Sequence, residues 1–389
     1  MRTGVQFLAH CLRSDQAFKP ADVQLLAESN PSSGDRWALA EEHGVDLLLF
    51  TRLREAGGNL LGVSSSLNIR IRENLLNNLQ LVACFHEMIR GADARGLRLF
   101  CFKGPVLAAA EYGSLSVRAA GDIDLLVAPE DVDQACEVLK EAGFRPVETL
   151  RGRHYREFHF HLPFESSSGV EVELHWSISR EYLRVAFDFS ELWARRQYFD
   201  LQDGRVPILS PEDHFLILCV HGTRHVWERL IWICDLRAVV ENHPGFDWDR
   251  VRAEASRKGC FRMMLLGVYL MHHVLNAKPP RSLISAVYRD PAVIAAAGAV
   301  IDGLSSRENV ELGALERDRF CFQLRERWRD RFRFFWALPW REYLDMWEDG
   351  LDSDCRGTGW TFSRVLKGLA LGLRRAWRTG AGLPANDSK

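Results

Sequence analysis

Two aspartates separated by one apolar residue open the run Gly121-Asp122-Ile123-Asp124-Leu125-Leu126-Val127. Alternation of acid and hydrocarbon is the period of a β-strand, in which side chains at i and i+2 lie on one face. Asp122 and Asp124 therefore point the same way. Two carboxylates this close repel and raise each other's pKa unless a cation lies between them. Hard oxygen ligands favour magnesium or manganese. Alone, such a pair is also what a solvated strand end looks like. A second run, Val170-Glu171-Val172-Glu173-Leu174-His175-Trp176, supplies context. Glu171, Glu173 and His175 share one strand face. A third carboxylate on a neighbouring strand completes the ligand set for displacement at phosphorus, where two metal ions ~3.5–4 Å apart stabilise the attacking and leaving oxygens. Glu173 is the expected third ligand and Glu171 the reserve, against the plainer reading of a half-exposed hairpin's polar face. Asp122, Asp124 and Glu173 are expected to converge on one point.

A phosphate-bearing substrate also needs cations and free amide groups. Lys103-Gly104-Pro105 sits between a predicted strand and a predicted helix, where a turn can hold phosphate oxygens through its N–H groups and a lysine adds a point charge. The chain has 7 lysines against 43 arginines, and Lys103 is the only lysine between Lys19 and Lys140. Read as an exposed phosphate ligand, it is expected to be removable with little effect on stability. Arg118, just before the acids, is a second candidate for phosphate; the alternative is a surface arginine.

Weaker signals have plainer alternatives. His221 and His225 are four apart on a predicted helix and share a face, which suits nucleotide or acceptor contact, metal binding or simple packing. Asp235 lies in an apolar stretch and is expected to pair with an arginine or histidine, since a lone buried charge is costly. His159 and His161 alternate with Phe158 and Phe160, as strand facing requires. Arg325 to Arg333 mixes arginine with aromatics, a pattern suited to single-stranded nucleic acid or an anionic membrane surface. Glu326 and Asp330 dilute its charge, so the favoured reading is an amphipathic helix that packs Phe320, Leu324, Trp328 and Phe335 inward.

The elements that must position these groups follow from periodicity and punctuation. Residues 1–95 read as helical, with Gly44 suited to a helix C-terminus and a long run from Leu67 to Arg90. Leu97–Phe102 and Ile123–Val127 read as strands, with a helix from Val106 to Tyr112 between them. Pro129 opens a helix through Leu139 that Gly143 closes. Tyr155–Phe164 and Val170–Trp176 form a hairpin around Ser166-Ser167-Ser168-Gly169, and Gln197–Leu201 with Arg205–Leu209 form another. Ser210-Pro211-Glu212-Asp213 starts a helical region that runs to about residue 300.

Composition sets the outer bounds. The chain has 389 residues, 47% hydrophobic and 26% charged, with 50 basic and 52 acidic residues for a net charge of −2. This is a globular composition, and near-neutrality argues against nucleic-acid binding by bulk charge. No run reaches the ~18 apolar residues of a membrane span, and the N-terminus makes a poor signal peptide. The nine cysteines are never spaced C-x-x-C, so they read as free thiols. A cytoplasmic location is expected.

Taken together, strand, Lys103-Gly104-Pro105, helix, Tyr112, Arg118, Gly121-Asp122-x-Asp124, a strand ending Glu173-Leu174-His175-Trp176, Ser210-Pro211 and His221 on a helix resemble the uncharacterised nucleotidyltransferase-like family of the polymerase-β superfamily. The resemblance spans about residues 35–290. It implies an α+β fold, a small mixed sheet with flanking helices plus N-terminal and C-terminal helical regions. The expected division is an N-terminal helical region (1–95), a nucleotidyltransferase core (96–209), a helical domain (210–300), a C-terminal helical extension (301–380) and a flexible tail (381–389). It implies a reaction in which an acceptor hydroxyl attacks the α-phosphorus of a metal-bound nucleoside triphosphate and pyrophosphate leaves. Asp122, Asp124 and Glu173 would be catalytic and hold Mg2+ or Mn2+; Lys103, Gly104, Arg118 and His221 would hold nucleotide. Two departures stand out: Lys103-Gly104 replaces the usual Gly-Ser turn, and glutamate replaces the commoner aspartate as third acid. The acceptor could be a small molecule, a protein or an RNA, and the oligomeric state is open. The rival reading is a catalytically degenerate fold kept as a nucleotide-binding or protein-interaction module.

Overall fold

The computed structural model describes residues 4–13, 36–55, 64–147, 159–179, 185–202, 204–305 and 314–332. Among the described residues four helices come first: α1 (Gly4–Cys11), α2 (Arg36–Glu42), α3 (Asp46–Glu55) and α4 (Ser64–Asp93). The mixed region holds β1 (Leu99–Cys101), α5 (Gly104–Tyr112), β2 (Asp122–Val127), α6 (Val132–Glu141), β3 (Phe144–Pro146), β4 (His161–Ser166) and β5 (Glu171–His175). After α7 (Phe189–Ala194) come the hairpin strands β6 (Gln197–Leu201) and β7 (Gly204–Ile208). Then come the described helices α8 (Pro211–Arg224), α9 (Leu230–Glu241), α10 (Trp248–Lys258), α11 (Phe261–Leu275), α12 (Arg281–Arg289), α13 (Pro291–Ser305) and α14 (Ala314–Gln323). The fold is α+β.

The main sheet has the order β1-β2-β5-β4-β3. Only β2 and β5 run parallel; the other neighbours are antiparallel. Strand alternation divides the sheet between two cores. Leu99, Cys101, Ile123, Leu125, Val127, Val172 and Leu174 face a core shared with α4 and α6. Phe100, Phe102 and Leu126 face the other core, built from α1–α3 and α8–α13. Asp122, Asp124, Glu173 and His175 have the parity of the second set. The acids therefore sit on the sheet face that meets the helical body, which is why Asp124 is only 1% exposed.

Local chemistry explains the boundaries. Ser210 caps α8, its hydroxyl accepting from the Asp213 N–H at 3.3 Å, with proline in the first turn. Gly113 ends α5 in the left-handed conformation that suits glycine. Pro129–Asp131 forms a 3-10 turn, so the helix expected from Pro129 starts as α6 at Val132. It buries Val132, Ala135, Cys136, Val138 and Leu139, one helical face. The strand expected from Tyr155 begins at His161 among the described residues; residues 155–158 lie outside them.

Near residue 325 the structure differs from the expected helix. Phe320 and Leu324 are buried, but Trp328 is 80% exposed. The helix stops because Arg325 turns inward to Asp330 at 2.9 Å and Glu326 accepts the Phe261 N–H at 2.9 Å. These contacts break the phase that would have brought Trp328 inward. Phe335, most of the expected extension and the tail lie outside the described residues. No single helix among the described residues is long and apolar enough to cross a membrane. The pair α12 and α13 reaches that length only together and is bent by 93°.

Candidate active site

The parallel pairing of β2 with β5 builds the site. Its register sets Asp124 beside Glu173 and Asp122 beside Glu171. Asp122, Asp124 and Glu173 each offer an oxygen, and the three lie within 4.8 Å of one another. Glu171 is exposed and stands apart from that group.

The partners of these acids arrive from two sides. Lys103 precedes α5, and its Nζ lies 2.8 Å from Asp124 Oδ1. His175 Nε2 lies 3.2 Å from the same oxygen and 3.0 Å from Glu173 Oε2. The expectation of an exposed lysine is corrected here: Lys103 is 15% exposed, because Asp124 draws it inward. Gly104 has φ +62°, and a Cβ there would come within 2.6 Å of the Asp122 carbonyl oxygen. Only glycine lets the loop lie this close to the start of β2.

Burial acts differently on the three acids. It raises Asp122 to about 6, helped by the charge on Asp124. It opposes ionisation of Asp124 too, but Lys103 and His175 outweigh it and hold Asp124 well below the usual carboxylate range. Glu173 is likewise lowered against its burial, chiefly by the hydrogen bond from His175. One site thus holds an easily protonated acid beside a firmly ionised one. Among the described residues Asp124 Oδ2 is buried without a hydrogen-bond partner. A converging trio of hard oxygens with one buried oxygen unsatisfied fits a divalent cation.

Arg118 is placed otherwise than expected. Its Nε and Nη2 donate to the two oxygens of Asp235 at 2.8 and 2.9 Å, and Tyr112 donates to the same carboxylate at 2.7 Å. The Arg118 fork is spent on α9, so Arg118 fastens the loop before β2 to the helical body. Asp235 has the arginine partner its apolar surroundings require. His221, on α8, is half-buried, with its ring 4.6 Å from His225 and 5.3 Å from Trp232. Burial and then Lys103 push its pKa well below the usual value, so its ring is neutral.

Strand facing puts His175 on the face of Glu173, but its bridge between Asp124 and Glu173 depends on tertiary placement. Strand facing also accounts for His161; β4 sets it directly opposite His175. Their rings stack at 5.1 Å. Burial and the nearby His175 lower His161 to about 4.

The profile of a family described as uncharacterised nucleotidyltransferases matches residues 33–276. The chain belongs to that family. The match takes in every residue of the site. Two solved structures resemble this nucleotidyltransferase family member in part. One is the solution structure of the antibiotic-resistance factor ANT(2'')-Ia, 17% identical with a TM-score of 0.35, covering 50% of this chain and 98% of that one. The other is the crystal structure of an antigenic nucleotidyltransferase-like protein from Paracoccidioides brasiliensis, 13% identical with a TM-score of 0.27, covering 56% of this chain and 92% of that one. No protein of curated description matches the chain.

Proposed function

We propose that the protein transfers a nucleoside monophosphate from a nucleoside triphosphate to an acceptor hydroxyl, with release of pyrophosphate. The observation that carries this reading is the convergence of Asp122, Asp124 and Glu173 with one buried oxygen unsatisfied. These three residues would hold Mg2+ or Mn2+, which when bound would neutralise charge on the triphosphate and the attacking oxygen. Asp124, ionised by Lys103 and His175, is the fixed anchor of the site. Glu173, kept ionised by His175, would orient the acceptor hydroxyl and take its proton. Lys103 would turn from Asp124 to triphosphate oxygens, and the first-turn amides from Gly104 would donate to them. His221, neutral and set among aromatic rings, would contact nucleotide or acceptor without adding charge. Arg118 would act through Asp235, by positioning the loop, rather than on phosphate.

In this reading residues 96–209 are the transferase core and 210–300 the helical domain that closes over its acid face. We place the protein in the cytoplasm, because the eight described cysteines are all free thiols. The acceptor, whether small molecule, protein or RNA, is left to experiment. The test is thermal melting with magnesium or manganese, with and without each nucleoside triphosphate. The wild type should melt higher with metal and higher again with its triphosphate. The Asp122→Asn, Asp124→Asn double variant should show neither rise. A wild type indifferent to every combination would contradict the proposal.

A further inference from the structure

We propose that His161, Glu173 and His175 form a second metal site, which takes a borderline transition ion of the zinc class and shares Glu173 with the carboxylate cluster. The β4–β5 ladder sets His161 directly opposite His175, and Glu173 lies two residues before His175 on the same face. Three ligands thus project side by side from two strands. His161 Nε2 is 3.8 Å from Glu173 Oε1, and His175 Nε2 is 3.0 Å from Glu173 Oε2. One ligand atom from each residue falls within 4.8 Å of the other two. Zinc bonds of ~2.0–2.2 Å in a tetrahedron put neighbouring ligand atoms ~3.3–3.5 Å apart. The two gaps, which run to different oxygens of Glu173, lie on either side of that spacing, so small side-chain rotations would bring the ligands onto one ion.

Ligand chemistry separates this site from its neighbour. Two imidazoles and a carboxylate suit zinc, whereas magnesium seeks octahedral oxygen. The His161 ring packs against Phe160 and stacks on His175, but among the described residues neither of its nitrogens makes a hydrogen bond. Its Nδ1 is buried with no partner, and its Nε2 contact with Glu173 is longer than a hydrogen bond. His175 Nδ1 is buried and unpartnered as well. Three protein ligands leave a fourth position for water or a substrate oxygen.

Glu173 cannot serve both ions fully. An ion held by the two histidines would draw Glu173 away from Asp122 and Asp124, so zinc would oppose magnesium. That consequence rests on the proposed transferase reading; the site itself does not. The experiment titrates the chelator-treated full chain with Zn2+ and Co2+ by calorimetry and visible absorption. Wild type should bind zinc, and its Co2+ form should show the strong absorption of a four- or five-coordinate ion. His161→Gln should weaken zinc binding by more than about tenfold, since even loss of an outer partner costs 10–100-fold. It should keep the melting rise with magnesium. Asp122→Asn should do the reverse. Zinc binding by a wild type that ignores magnesium would support this site and count against the transferase reading. Equal zinc affinity in wild type and His161→Gln, absence of zinc binding, or the weak Co2+ absorption of a six-coordinate all-oxygen site would overturn the proposal.

Discussion

Asp122→Asn gives the clearest thermodynamic prediction. The folded protein raises the Asp122 carboxyl from the usual 3.8 to about 6, by burial and by the charge on Asp124. The native state therefore binds this proton more tightly than the unfolded chain between about pH 4 and 6, and stability falls as pH rises through that window. At 1.36 kcal/mol per pH unit the full penalty above pH 6 is about 3 kcal/mol. Partial solvent access reduces it, so about 1–3 kcal/mol is expected. Asparagine nearly keeps the shape and removes the charge. In chelator, Asp122→Asn should match wild type near pH 4.5 far more closely than at pH 7.5, where it should be more stable by that amount. Chemical denaturation at the two pH values measures the difference. Saturating magnesium should erase or reverse the difference, since an ion that binds only the folded wild type at a hundredfold excess over Kd adds about 2.7 kcal/mol. A variant less stable than wild type at pH 7.5 in chelator, or a gain independent of pH, would refute the reasoning.

Other perturbations follow from the same contacts. Lys103→Ala leaves the buried Asp124 carboxylate with His175 but without its lysine and should cost about 3 kcal/mol in chelator, measured by denaturation at pH 7.5, with part regained in magnesium. Because Asp124 is held below its unfolded value, this loss should be fully present above about pH 4 and fade on acidification. Gly104→Ala forces a positive φ and a clash with the Asp122 carbonyl, and should lower stability by about 2 kcal/mol or more by the same measurement. Arg118→Ala leaves Asp235 buried without its ionic partner, though still bonded by Tyr112, and should cost about 3 kcal/mol. Adding Asp235→Asn should recover part of that loss, which a double-mutant cycle would show.

Much of the sheet was legible because it rests on period two. The parity of Asp122, Ile123 and Asp124 gives the face of each side chain, and so does that of Glu173 and Leu174. The three-residue β3 and six-residue α7 are too short to carry a period. Side-chain partners were less legible. Nothing local to Arg118 announces Asp235, 117 positions away. The inward turn of Lys103 depends on how deeply β2 buries Asp124, which composition does not encode. His161 looked like ordinary alternation because its significance lies in the strand beside it. Trp328 looked apolar-periodic, and the contacts of Arg325 and Glu326 overrode that period.

The central claim is nucleotidyl transfer at the carboxylate cluster. The most direct measurement incubates the protein and a cell extract with each nucleoside triphosphate labelled at the α-phosphate, in magnesium or manganese, and follows label and pyrophosphate. One triphosphate should label an acceptor with equal release of pyrophosphate, and the Asp122→Asn, Asp124→Asn variant should do neither. Label transfer that survives the double variant, or no transfer from any triphosphate while the folded wild type binds metal and nucleotide, would contradict the account.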